Sequence, residues 1–88
     1  VTVKSQNGVR YVVPATVRTE NLGEEVTFRF RVDNIYKGKK LVVYMDDEQI
    51  ISRKKRFLAP GEMETLKIKA EEFTNRPGLN NIRIELED

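Results

Sequence analysis

Across positions 24–34 the chain reads EEVTFRFRVDN, and this stretch constrains the fold more than any other. Val26, Phe28, Phe30 and Val32 fall on one side of an extended backbone, and Thr27, Arg29, Arg31 and Asp33 fall on the other. Successive side chains of a strand point to opposite faces, so this alternation predicts a strand with one face buried and one wet. The same period of two recurs in VTVKS with Val1 and Val3, and in VRYVV with Val9, Tyr11 and Val13. It returns in LKIKA with Leu66, Ile68 and Ala70, and in NIRIELE with Ile82, Ile84 and Leu86. KLVVYM is apolar almost throughout, which predicts a strand covered on both sides or one passing between sheets. Ala70, Glu71, Glu72 and Phe73 allow one helical turn, too short to organise a fold.

Turn chemistry separates these runs: Asn7-Gly8, Asn21-Leu22-Gly23, Lys37-Gly38, Asp46-Asp47, Pro60-Gly61 and Pro77-Gly78. Asn-Gly suits a type I′ hairpin and Pro-Gly a type II turn, in each case because glycine accepts positive φ. About seven short strands follow from this spacing. The expected fold is all-β, an Ig-like antiparallel two-sheet sandwich, a form that runs to about 100 residues. A small open barrel is the competing architecture. With 88 residues and neither Cys nor Trp, the interior is held by packing alone, and Phe28, Phe30, Val43, Leu66, Ile68, Ile82 and Ile84 are its expected centre. Residues 1–88 are read as one such domain; because Val1 opens the chain within a strand-like run, the domain is expected to come from a longer protein.

The chemistry that composition excludes is broad. Without His or Cys, the imidazole and thiolate routes to metal binding, proton shuttling and nucleophilic attack are missing. Gly8, Gly23, Gly38, Gly61 and Gly78 sit one to a turn, so no phosphate-cradling loop can form. Ser5 and Ser52 have no partner that would activate them. The acid pairs Glu24-Glu25 and Glu71-Glu72 and the run Asp46-Asp47-Glu48 fall at turns and termini, where solvation is expected. The last of these lacks the alternate spacing of a calcium loop. No site for catalysis, cofactor or metal is expected within the chain. No apolar run reaches the ~20 residues that a membrane span requires.

One run of charge remains. Arg53, Lys54, Lys55 and Arg56 stand between hydrophobic residues in ISRKKRF. Alternation sends Arg53 and Lys55 to one face of a strand and Lys54 and Arg56 to the other, so two charges face any single partner. Two phosphate contacts would give a salt slope near −1.8, far below that of a committed DNA binder, and 16 cations against 14 acids leave a net charge of only +2. No nucleic acid and no membrane partner is expected. The run reads as the protected edge of a sheet, with a possible protein-facing surface at the same four residues.

A wider pattern connects these pieces. Val9-Arg10-Tyr11-Val12-Val13-Pro14, then FRFRVDNIYK, then the basic run leading into Leu58-Ala59-Pro60-Gly61-Glu62-Met63-Glu64, resembles the C-terminal segment of bacterial NAD- and FAD-utilising dehydrogenases of the pyridine nucleotide-disulfide oxidoreductase type. The resemblance implies a non-catalytic structural or interaction module whose partner is the remainder of its parent chain. FAD and NAD would belong to the body of the parent and not to this domain, and the location would be cytoplasmic. VRYVVPATV and the YMDDEQII hairpin are the expected contact surfaces. The alternative is an Ig-like spacer or adhesion repeat of a secreted or cell-surface bacterial protein. Oligomeric state is left open.

Overall fold

The computed structural model describes residues 1–20 and 22–88. Asn21, expected to turn with Leu22 and Gly23, lies outside the described residues. Seven strands and one short helix are found among the described residues: β1 (Thr2–Gln6), β2 (Val9–Val13), β3 (Glu25–Val32), β4 (Tyr36–Met45), β5 (Glu48–Leu58), β6 (Glu64–Lys69), α1 (Ala70–Thr74) and β7 (Asn81–Glu87). They form an all-β two-sheet sandwich, with one sheet ordered β1-β7-β4-β5 and the other β2-β3-β6. The β3–β6 and β4–β7 neighbours are antiparallel pairs at the centre of the two sheets.

The interior follows the alternation. Phe28 and Phe30 on β3 and Leu66 and Ile68 on β6 belong to one buried cluster with Leu41, Val43 and Met45 on β4 and Ile82, Ile84 and Leu86 on β7. In register, Leu41 lies beside Leu86, Val43 beside Ile84 and Met45 beside Ile82, so two apolar rows line the inner face of the larger sheet. Both faces of β4 are buried from Leu41 to Val43, as its continuous apolar run predicts for a strand covered on both sides. The helical turn α1 drops Phe73 into the end of the core.

Several local expectations are corrected. The pair β1–β7 is parallel, so the sandwich is not wholly antiparallel. Asn7 and Gly8 both take positive φ, +53° and +102°, but they carry the chain from one sheet to the other and do not close a hairpin within one. Lys37-Gly38 is no turn: β4 runs through it, with Gly38 at φ +70°, and the chain reverses earlier, at 33–35. At 59–62 the Glu62 amide donates to the Ala59 carbonyl, but Gly61 lacks the positive φ of a type II turn. Arg76-Pro77-Gly78-Leu79 fits that type, with Gly78 at φ +85° and the Leu79 amide on the Arg76 carbonyl.

The largest correction concerns β2. Val9, Tyr11 and Val13 were expected on one face; Val9 is buried, but Tyr11 and Val13 are 73% and 64% exposed. The register against β3 slips between Arg10 and Val13, and Tyr11 sits at φ +56°. An extra residue in one strand reverses the alternation beyond it, which turns Val12 inward against the core and the other two outward.

Candidate interaction surface

β5 pairs only with β4 and forms an open edge of the larger sheet. Arg53, Lys54, Lys55 and Arg56 therefore lie on an edge strand, where charge opposes pairing with a second molecule. Lys55 is half-buried and reaches Glu64 Oε1 of the other sheet at 3.8 Å, while Arg53, Lys54 and Arg56 are exposed.

The register adds cations that the run alone does not reveal. Lys39 pairs across from Lys55 and Lys40 across from Lys54, so the β4–β5 ribbon holds two consecutive like-charge pairs. Like charges directly opposite one another destabilise a sheet, which makes this ribbon a local conflict between charge and pairing. Lys39 is relieved by Asp88, and Lys40 lies beside Glu87 on β7. Lys37, Arg53, Lys54 and Arg56 make no ion pair among the described residues. The signal was present in the sequence: a hairpin turning at Asp46-Asp47 brings KGKK opposite RKKR, with the bulge between Val43 and Tyr44 setting the final offset.

The loop 33–35, the loop 59–63 and the Asn7-Gly8 turn meet at one end of the sandwich, as shown by the pairings Val9 with Val32, Tyr36 with Leu58 and Phe30 with Glu64. Five large hydrophobic side chains are exposed: Tyr11, Val13, Ile35, Phe57 and Met63. Four of them, all but Val13, belong to this end. Two open clefts of about 560 and 340 Å³ share Arg10, Tyr11 and Asp33 in their walls. Arg10 pairs with Asp33 at 3.6 Å, and Arg31 donates to the Gly61 carbonyl at 3.2 Å. The Tyr36 hydroxyl donates to Asp33, which pushes its own pKa up.

The outer face of the larger sheet carries a second polar cluster. Tyr44 donates to Glu87 Oε2 at 2.6 Å, and Arg83 stacks its guanidinium 4.2 Å from the centre of the Tyr44 ring. Glu85 is buried, accepts from Asn7 Nδ2 at 3.2 Å and lies 3.4 Å from Arg83 Nε. Burial raises the Glu85 pKa above the ordinary carboxylate range, and the hydrogen bond to Glu87 adds to it. The Tyr44 hydroxyl holds Glu87 below that range.

The acidic turn expected at Asp46-Asp47-Glu48 is committed to structure. Asp46 Oδ1 accepts the backbone amides of Asn80 and Asn81, fixing the start of β7, and Glu48 meets Arg76 at 2.7 Å. Among the described residues no group of three acids is placed to hold a metal ion. No family model, curated protein or solved structure matches the chain at a significant level.

Proposed function

We propose that this chain is a non-catalytic structural and interaction module from the C-terminal part of a bacterial FAD- and NAD-dependent oxidoreductase, acting through contact with the parent body. One observation carries the reading. The stretch VRYVVP, which opens the resemblance, is where β2 bulges and holds Tyr11 and Val13 out to solvent at a strained backbone position. An aromatic ring kept exposed on a rigid edge suits contact with a partner. The acids of the chain support the same reading, because Asp46, Glu48 and Glu85 are engaged in holding turns and strands.

The reading frame upstream of Val1 tests the parentage. A glycine-rich dinucleotide fingerprint between a strand and a helix is the expected result. A secretion signal followed by tandem copies of this domain would overturn it. That outcome would favour the second reading, a spacer or adhesion repeat, which the opposite placement of Val1 and Asp88 along the parallel pair β1–β7 also suits.

A further inference from the structure

We infer that the end of the sandwich carrying Tyr11, Ile35, Phe57 and Met63 is a docking surface for an acidic protein segment, with those four side chains as anchors and the cations of the β4–β5 ribbon as their charged border. This deepens the contact-module reading and rests on that part of it, not on the flavoprotein parentage.

Three independent features converge there. The first is the concentration of exposed apolar side chains, since a soluble surface scatters such residues singly unless a patch has a use. Phe57 stands across from Lys37, Ile35 precedes Tyr36, which pairs with Leu58, and Met63 precedes Glu64, which meets Lys55. The second is backbone strain. A tyrosine at φ +56° is a costly conformation, and here the cost goes toward exposing the ring rather than burying it. The third is that Lys37, Arg53, Lys54 and Arg56 of the ribbon make no ion pair among the described residues, so a carboxylate-bearing partner could meet them.

The chemistry selects a protein over other anionic partners. Tyrosine, phenylalanine, methionine and arginine are the side chains enriched at the centres of protein interfaces. Asp33, Glu62, Glu64 and Asp88 are set among the cations at this same end. A bilayer of anionic lipid or a phosphate backbone presents uniform negative charge, which suits an unbroken cationic surface, whereas here the pairs Arg10–Asp33, Lys55–Glu64 and Lys39–Asp88 divide the free cations. A protein surface can be patterned, with carboxylates meeting the ribbon and an apolar strip meeting the rings.

The test uses the 88-residue chain, labelled for amide NMR. Its probe is an acetylated dodecapeptide of alternating glutamate and leucine, with the lysine–leucine peptide, duplex DNA and phosphatidylserine vesicles run beside it. The expected result is a set of shifts confined to Tyr11 and residues 33–40 and 55–63 with the glutamate–leucine peptide. Affinity should fall at least about tenfold in Tyr11→Ser/Phe57→Ser and, separately, in Lys54→Glu/Arg56→Glu, and it should weaken with salt. Absence of shifts, shifts centred on another face, equal binding of the lysine peptide, or tighter binding of DNA or vesicles would each overturn the inference. Self-association through this end would do so as well. None of these outcomes bears on the reading frame upstream of Val1, so failure here and failure of the parentage are distinguishable.

Discussion

Ile84 and Glu85 are neighbours on β7 and almost equally inaccessible, at 0% and 6% exposure, yet they are buried by different means. Ile84 faces the second sheet and belongs to the apolar cluster with Phe28 and Phe30. Glu85 points away from that cluster, with Val42 as its cross-strand neighbour and Asn7 and Arg83 as its polar partners. The inner face gains from removing apolar surface from water. The outer face loses solvation at a carboxyl and recovers part of it through hydrogen bonds, as the raised Glu85 pKa records. Low exposure on its own therefore does not identify the side chains that hold a sandwich together.

The sharpest way to break this contrast is on the inner face. Phe30→Ala should lose about 3 to 5 kcal/mol, a large share of the ~5 to 10 kcal/mol available to a domain of this size. Denaturant unfolding should then find the variant largely unfolded at 37 °C, and an unchanged cooperative melt would place Phe30 outside the core.

Gly8→Ala probes the turn that touches both faces, because Asn7 donates to Glu85 while Gly8 lies against Tyr36 and Leu86. A Cβ at Gly8 would stand 2.7 Å from the Tyr36 hydroxyl at a backbone φ of +102°. A loss of about 1 to 3 kcal/mol is expected; a neutral result in the same denaturant assay would mean that the turn relaxes freely.

The smallest effect belongs to the outer face. A carboxyl whose pKa is raised by folding stabilises the fold when protonated, and that contribution is lost as pH rises through the folded-state value. Glu85→Gln keeps the neutral form at all pH. It should therefore raise the melting temperature slightly at pH 7, with the difference fading below the ordinary glutamate pKa of about 4.3. Melting curves at pH 7 and pH 3.5 check this, and a variant less stable at pH 7 would show that the Arg83 ion pair outweighs the burial of charge.

The inner face was legible in sequence because nothing local competes with its alternation. Phe28, Phe30, Val43, Leu66, Ile68, Ile82 and Ile84, expected at the centre, all prove buried. Glu85 was not, since a glutamate alternating with Ile84 and Leu86 looks like any wet strand position, and its burial depends on Asn7, far away in the chain. The reversal within β2 was hidden for a similar reason. Tyr11 is a favourable residue for an ordinary strand, and only the pairing with β3 forces the extra residue and the positive φ. The basic ribbon lies between these cases. Each of its two cationic runs is plain in sequence, but their opposition depends on a hairpin register offset by one bulge.

Stability resides in the dry interior, whereas the rings of Tyr11 and Phe57 at the loop end are exposed and lie outside it. The melting temperature of Tyr11→Ser/Phe57→Ser tests this most directly. A shift of about 1 kcal/mol moves the midpoint of a domain this size by roughly 4 to 8 °C, and the expected midpoint lies within that margin of the unsubstituted chain. A fall of about 15 °C or more would show that the two rings are structural, contradicting the separation between the part of the molecule that holds the fold and the part proposed for docking.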